Sequence, residues 1–320
     1  MPLGANKAGL FGAAGAGAES TDTGLAAGGD AGSGAINIIE YVTISSAANA
    51  TDFGDLTRSV NGTAGTSNGV NSRGIFGGGN GPVNVIDYVT ISSAGNATDF
   101  GDLLGNRANL SACSNGTSDR GVWMGGGAVS NSPDNVIQYV TISSTGDASD
   151  FGDLTGTTTE GINCSDNATG DRGLGNSGGP GTPTDVIEYI TISSASNATD
   201  FGDATAGHSS GNNGSVSNGT NQRGIFAGGT ANGGLTNIIE YVTINSAGNG
   251  TDFGDLSATR RLFAGFNNGT SERGVFAGGR EGSSNVDTIE YITISSTGNY
   301  TDFGNLTSGR HAPAGTDDAG

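Results

Sequence analysis

Short runs of Val, Ile, Tyr and Thr recur along the chain, and polar, glycine-rich segments separate them. In the copy at residues 288–294, Ile289 and Tyr291 fall on one side of an extended chain and Ile292 and Ile294 on the other. Apolar residues on both sides predict a strand that lies between two layers. Since β-branched and aromatic residues pack well on pleated surfaces, the pattern predicts an all-β protein.

These runs belong to an internal repeat. The phrase Thr/Ser-Asp-Phe-Gly-Asp/Asn occurs six times, its phenylalanines are 47 to 52 residues apart, and a tyrosine precedes each phenylalanine by twelve residues. Each unit predicts four short strands, with a tight Asn-Gly turn between the first two and a glycine pair after the second. Four antiparallel strands per unit of about 50 residues indicate a propeller blade. The sequence therefore predicts a six-bladed β-propeller of four-stranded blades.

The two ends of the chain suggest how the ring closes. A propeller pairs its last blade with its first, because open sheet edges are a liability. The segment from Leu306 to Gly315 aligns without a gap with the segment from Leu256 to Gly265, so it predicts a first strand that lacks a second. We expect residues 307–318 to complete blade one, residues 23–320 to form the propeller, and residues 1–22 to form a Gly/Ala-rich arm. Residues 10–15 are the competing donor of that strand.

Glycine supplies 61 of the 320 residues, and many of these glycines occupy fixed positions in the repeat. We interpret them as turns and bends between short strands rather than as a sign of disorder. In the repeated Asp-Phe-Gly phrase, we expect the phenylalanine to fill the space between blades and the glycine to permit a bend.

The excess of acidic over basic residues restricts the kinds of partner that the protein can bind. The chain has 31 acidic and 12 basic residues, for a net charge of −19, which argues against nucleic-acid binding. No apolar run is long enough to insert into a membrane. The N-terminal residues do not resemble a signal peptide, so we expect release by lysis or assembly, with the protein in a virion or outside the cell.

Charged residues also follow the repeat. One row occupies strand three: Glu40, Asp87, Gln138, Glu188, Glu240 and Glu290. Five arginines share another position, and we expect them to form a structural ring of ion pairs with the aspartates of the Asp-Phe-Gly phrase, since Arg favours carboxylates. The predicted ring comprises Arg73, Arg120, Arg172, Arg223, Arg273, Asp52, Asp99, Asp150, Asp200, Asp252 and Asp302. Calcium held by the carboxylate rows is the alternative; no cofactor is otherwise expected.

Catalytic residues are not evident. His208 and His311 stand in neither a Ser-His-Asp nor a metal-ligand spacing, so we predict no catalytic or metal site and a protein that is not an enzyme.

One face of the predicted propeller varies between copies. The loops between strands one and two and between strands three and four are near-identical and form what we call the repeat face. The loops after the glycine pair and the links between blades differ in length and chemistry and form the variable face. Recognition is usually placed on variable loops of a rigid scaffold, so we expect a protein or glycan partner there. The candidate binding residues are Arg58, Arg107, His208, Arg260, Arg261, Arg280 and His311.

The order of Arg, apolar strand, Gly-Gly, Tyr and a later aromatic resembles the kelch repeat, with Phe in place of the usual Trp. The phrases Tyr-Val-Thr-Ile-Ser-Ser and Asn-Ala-Thr-Asp-Phe-Gly-Asp-Leu also resemble repeat proteins of tailed phages of cyanobacteria. This resemblance implies a non-enzymatic virion or tail-fibre protein for attachment or assembly. Its partners would be other virion proteins or a host-surface receptor or glycan, and a homo-oligomer within an assembly stays open. The alternatives are a kelch-type protein–protein interaction module of a cell and a kelch-like enzyme.

Overall fold

A computed structural model describes residues 22–319 except 82, 129–131, 159–161, 177–183, 209–213 and 232. The described chain forms six four-stranded antiparallel blades arranged as a propeller, as the repeat predicted. The first strands of neighbouring blades contact one another around the ring, so strand one lies at the axis and strand four at the rim. We number the blades in chain order from the strand that begins at Thr23.

The strands have the following bounds in blades one to six. Strand one spans Ala314–Asp317, Ala64–Ser67, Ser111–Ser114, Asn163–Asp166, Ser215–Ser217 and Ala264–Asn267. Strand two spans Thr23–Ala27, Arg73–Gly77, Arg120–Met124, Arg172–Asn176, Arg223–Ala227 and Arg273–Ala277. Strand three spans Ile38–Thr43, Val85–Thr90, Ser132–Thr141, Thr184–Thr191, Ile238–Thr243 and Thr288–Thr293. Strand four spans Thr51–Asp55, Thr98–Asp102, Ser149–Thr158, Thr199–His208, Thr251–Asp255 and Thr301–Asn305.

Short elements complete the loops. On the variable face, Gly127–Ala128 pairs with the start of a long third strand, Thr230–Ala231 pairs with Gly234–Leu235, and Arg280–Glu281 pairs with Ser284–Asn285. On the repeat face, strands one and two are joined by 3₁₀ turns rather than by the two-residue hairpins that the Asn-Gly steps predicted. These turns are Gly69–Asn71, Gly116–Ser118, Ala168–Gly170, Gly219–Asn221 and Gly269–Ser271.

The C-terminal strand closes the ring. Ala314–Asp317 pairs antiparallel with Thr23–Ala27, with Gly315 opposite Ala26. The prediction that the C-terminal segment supplies the first strand of blade one is confirmed. The competing donor at residues 10–15, and the arm at 1–21, lie outside the described residues. Asp22 packs with blade one, since its carboxylate accepts a 2.8 Å hydrogen bond from the Ser45 backbone N–H.

The hydrophobic core is divided among the junctions between blades. Each of six buried clusters joins side chains of two adjacent blades; in one, Phe53 and Leu56 of blade one pack with Phe76, Val89 and Ile91 of blade two. Each phenylalanine of the Asp-Phe-Gly phrase is buried and makes an edge-to-face contact with the tyrosine of its own blade, at 5.9 to 6.2 Å between ring centroids. Adjacent blades therefore depend on each other for burial.

The glycine that follows each phenylalanine is required by the neighbouring blade. Gly101 has a φ of +149°, and a Cβ there would lie 2.5 Å from the carbonyl carbon of Gly146, in the turn of blade three. The same contact recurs in the other five junctions, because strand four of one blade carries backbone hydrogen bonds to the next turn, as from Gly146 N to Phe100 O and from Ala148 N to Asp102 O. The bend expected at this glycine is in fact a point of backbone contact between blades.

We predict that Gly101→Ala destabilises the protein by about 2–4 kcal/mol. The methyl group would clash with the backbone of Gly146, and alanine is unfavourable at the positive φ of this position. The measurement is the free energy of unfolding from chemical denaturation. Gly105→Ala is the matched control, because no atom lies within 4 Å of the position its Cβ would take. Equal stability of the two variants would contradict the backbone-contact explanation.

Candidate functional site

The acidic row on strand three joins adjacent blades. These side chains are at most 1% exposed, and each accepts a hydrogen bond from the link that leaves the preceding blade. The donor is the residue four positions after the phenylalanine, through its backbone N–H or, for Thr57, its hydroxyl, at 2.6 to 3.3 Å. The pairs are Thr307–Glu40, Thr57–Asp87, Leu104–Gln138, Thr155–Glu188, Thr205–Glu240 and Ser257–Glu290. Burial raises the pKa of Asp87 and of Glu188, whereas these hydrogen bonds oppose the rise.

Link arginines strengthen this contact at several junctions. Arg58 lies 2.9 Å from Asp87, and the fully buried Arg260 pairs with the fully buried Glu290. Arg260 also donates to the carbonyl oxygens of Gly278 and Thr288 at 3.2 Å. Burial lowers the pKa of Arg260, and the Glu290 carboxylate opposes that shift. Arg310, in the link that leads to the C-terminal strand, is fully buried and pairs with Glu40 in the same way.

Three predicted binding residues are therefore cross-links between blades. Arg58 and Arg260 hold strand-three acids, and Arg107 lies 2.7 Å from Asp134 with only 8% of its side chain exposed. The links pass beneath the variable face, so arginines in them reach carboxylates of the next blade rather than solvent. The structure does not place these three side chains where a partner would contact them.

The arginines of strand two have partners other than the predicted ones. Each donates to a carbonyl oxygen of the next blade at 2.8 to 3.0 Å, as from Arg73 Nη1 to Ile142 O. Each guanidinium also lies 4.1 to 4.5 Å from the ring centroid of its own blade's tyrosine, a cation–π contact. Within the described chain, none of them forms an ion pair with the Asp52 row, whose members are exposed on strand four. The expected ring of ion pairs is a ring of stacked arginines that bridge to backbone, interrupted at Thr23.

A second ring lies on the repeat face. In five junctions an asparagine after strand one donates to the side chain at the end of the next blade's 3₁₀ turn, or to Asp22 in blade one, as from Asn68 to Asp119 at 3.0 Å. The sixth position holds Asp318, whose carboxylate accepts from Thr23 N at 3.0 Å. Burial raises the pKa of Asp318 to about 6, with Asp22 adding repulsion, and burial likewise raises the pKa of Asp166 to about 6.

The variable face is built on a repeated backbone bridge. The residue eight positions after the phenylalanine pairs with the first residue after the glycine pair of the next blade. This bridge joins Asn61 to Asn80, Ala108 to Gly127, Arg261 to Arg280, and His311 to Asp30. The backbone is thus fixed while the side chains differ, which is the arrangement expected of recognition positions on a rigid scaffold.

Two of these bridges place Arg261, Arg280 and His311 in one region of blades six and one, which we call the arginine patch. His311 Nδ1 lies 2.9 Å from Asn285 Oδ1, and Asn285 Nδ2 donates to Asp30 O at 2.8 Å. Burial lowers the pKa of His311, and the charges of Arg280 and Arg261 lower it further while Asp30 opposes them. At neutral pH the patch therefore presents two guanidinium groups beside a neutral imidazole.

The arginines of the patch differ from the other nine in the chain. The other nine each bind a carboxylate or a carbonyl oxygen of a neighbouring blade through the side chain. The side chains of Arg261 and Arg280 make no described ion pair or hydrogen bond to a neighbouring blade, and both are partly exposed. The patch is a place on this acidic protein where guanidinium groups remain available to a ligand. Sequence reasoning found all three of its side chains but missed Asn285 and Asp30; their positions after the glycine pair were the available signal.

His208 ends strand four of blade four, where its backbone pairs with Thr184 and Ala231. A binding role was predicted for the His208 side chain, which lies outside the part of the structure that is described.

In the described part of the chain, no three His, Cys, Asp or Glu side chains gather closely enough to hold a metal ion. No described helix is long and apolar enough to cross a membrane. The chain matches no protein-family model and no curated protein.

We predict that Arg260→Met costs about 3–5 kcal/mol, because it leaves the Glu290 carboxylate buried without its partner. The double variant Arg260→Met/Glu290→Met should recover most of that loss. Chemical denaturation measures both. A stable Arg260→Met protein would contradict the assignment of Arg260 as a structural cross-link.

We predict that Asp318→Asn stabilises the protein above pH 6. The folded-state pKa of about 6 exceeds the unfolded value near 3.8, so this carboxyl favours folding below pH ~3.8 and loses that contribution as the pH rises through 6. The amide removes this dependence and should add about 1–2 kcal/mol at pH 8, a value reduced for partial solvent screening.

Melting temperatures between pH 4 and 8 measure the effect of Asp318→Asn. Asn68→Asp, which introduces a carboxylate at the equivalent position of blade two, should show the opposite change and serves as the matched variant. The explanation fails if both variants follow the pH dependence of the wild type.

Proposed function

We propose that the protein is a non-enzymatic adhesion or assembly protein whose propeller is carried by the virion or tail fibre of a tailed phage. The proposal that the protein binds a partner rests on the arginine patch. The side chains at this bridge differ between blades, whereas the backbone of the bridge is the same. The kelch-like order of residues and the phage-like phrases support the class of protein. A location in the virion or outside the cell follows from that class.

The partner is inferred from the chemistry of the patch. Arg binds carboxylates with paired N–H groups, and Arg261 and Arg280 have no described carboxylate partner of their own. The neutral His311, held by Asn285, adds a fixed hydrogen-bonding group beside them. We infer that the patch receives a carboxylate-bearing surface, either of another virion protein or of an acidic glycan on the host. Attraction at the patch acts at short range, whereas the net charge of −19 repels an anionic partner at long range, and salt screens both. Binding should therefore depend on the salt concentration.

The scaffold also supports a binding role rather than catalysis. The structure assigns the link arginines and the strand-three acids to contacts between blades, so these charged groups hold the ring. Near the patch, His311 contacts an amide oxygen rather than a nucleophile, which is not the geometry of a hydrolytic triad.

We predict that Arg261→Gln/Arg280→Gln reduces binding to an immobilised polyuronate at least tenfold, because both guanidinium donors are removed. Biolayer interferometry at two salt concentrations measures the loss, and a neutral dextran surface reports non-specific binding. Asn61→Gln/Asn80→Gln, at the equivalent bridge of blade two, is the matched control and should bind as the wild type does. Unchanged binding by the arginine variant, or no binding by the wild type, would overturn the proposal for this patch.

A further inference from the structure

A cleft of about 350 Å³ opens on the repeat face between blades two and three. This volume lies within the range of pockets that hold small ligands, about 300–1,000 Å³. The cleft is far from the arginine patch, since it is built from the turns at the opposite ends of the strands. Its lining is polar: Asn68, Asn71, Arg73, Thr117, Asp119 and Ser143.

Two charged groups in the cleft are held in place and retain hydrogen-bonding capacity. Arg73 is fixed by its contacts with Ile142 O and the Tyr88 ring, and its other side-chain N–H groups make no described hydrogen bond. Asp119 accepts from Asn68 and from the backbone and hydroxyl of Ser143. A carboxylate offers about four acceptor sites, so one remains for a ligand.

The rim adds uncharged donors and acceptors. Asn71 and Thr117 are exposed, and each carries a side chain that can both donate and accept a hydrogen bond. The exposed Ser143 hydroxyl donates to Asp119 and can still accept. An anionic ligand would meet the Asp119 carboxylate and a cationic ligand the Arg73 guanidinium. A neutral, hydroxyl-rich ligand suits both groups, because a hydroxyl donates to the carboxylate and accepts from the guanidinium.

The same set of groups recurs between blades three and four. Asn115 donates to Asp171 at 3.0 Å, and Asp171 also accepts from the backbone and hydroxyl of Ser193. Arg120 is fixed as Arg73 is, by a carbonyl of the next blade and the ring of Tyr139, and Thr169 is exposed at the position of Thr117.

Two other junctions depart from this arrangement in ways that the structure defines. Between blades four and five the acid is replaced by Gln222, which accepts from Asn167, so the carboxylate is absent. Between blades five and six, Glu272 accepts from both Asn218 and Asn221, so the rim asparagine bridges the two blades. The first of these junctions therefore lacks the carboxylate, and in the second the rim asparagine is already held by Glu272.

Between blades six and one, Asn268, Asp22, Ser45 and Arg273 repeat the contacts of the first two junctions. The rim residues that precede Asp22 lie outside the described residues, so no site is assigned there.

We propose that the cleft between blades two and three, and the corresponding set of side chains between blades three and four, each bind a neutral saccharide unit. The proposal rests on the proposed role as a binding protein but uses the opposite face. Two equivalent sites on one rigid ring would let a weak single-site affinity gain strength on a surface that displays many copies of the saccharide.

The test begins with a printed array that carries neutral oligosaccharides together with sialylated and sulfated ones. The wild-type protein should bind neutral members, and calorimetric titration with the strongest of these should give at least two sites per chain. In Thr117→Trp and in Thr169→Trp, an indole ring replaces an exposed rim hydroxyl and covers one of the two proposed sites. Each should lower the number of sites by one, and the double variant should remove both without changing the melting temperature.

Thr220→Trp is the matched control, because it fills the equivalent position beside Gln222 and should leave the number of sites unchanged. Binding to acidic members alone, no binding to any neutral member, or full binding by the double variant would overturn the proposal. The Arg261→Gln/Arg280→Gln protein separates the two faces. If that variant alone loses saccharide binding, the saccharide binds at the arginine patch and not on the repeat face. If it binds saccharide normally but loses polyuronate binding, each face has its own ligand.

Discussion

Adjacent blades of this ring approach until their backbones are in contact, and this short distance sets how the core, the links and the charged groups are arranged. At the rim, a turn of one blade lies against the glycine of the preceding Asp-Phe-Gly phrase, so the carbonyl group of Gly146 occupies the space that a side chain at position 101 would need. Near the axis, a Cβ on Gly315 would lie 2.1 Å from the Gly265 carbonyl oxygen. Small residues at these places permit the six clusters of apolar side chains to close between blades. Stability then comes from the junctions, because each cluster takes its members from two blades.

Charge is used in the same junctions. The buried strand-three row binds the link of the preceding blade, and Arg58, Arg260 and Arg310 add a guanidinium where the acid would otherwise be isolated. The strand-two arginines connect tyrosine rings to neighbouring carbonyl groups instead of neutralising the exposed aspartates. Much of the basic charge is thereby committed to the scaffold. The few arginines without that role gain significance as binding groups, and the strongly negative exterior limits the partners that they can receive.

The two faces of the propeller differ in how much they vary from blade to blade. The variable face changes side chains at bridges whose backbone is constant, so differences between copies accumulate there without disturbing the ring. The repeat face keeps the same turn between strands three and four in every blade and a 3₁₀ turn between strands one and two in blades two to six, so a site formed there can recur around the axis. A single substitution, such as Gln222 for an aspartate, then distinguishes one junction from the next. Repetition in this chain gives both a rigid frame and a set of comparable positions.

The number of blades, the four strands in each, and the closure by the C-terminal strand can be read from the sequence, because they follow from the spacing of Phe53 and its equivalents and from the unpaired copy after Leu306. The positions of Arg261, Arg280 and His311 on the variable face can be read in the same way. The contacts of the charged residues cannot, because they form only when the blades pack together. Arg260 and Arg261 are adjacent in the chain, yet one is buried against Glu290 and the other lies at the surface. The spacing of the repeat predicts which strand a residue occupies. Its partner belongs to another blade, and the local sequence pattern does not predict contacts between blades. The glycine after each phenylalanine shows the same limit: its position was evident, but its cause lies in the turn of the neighbouring blade.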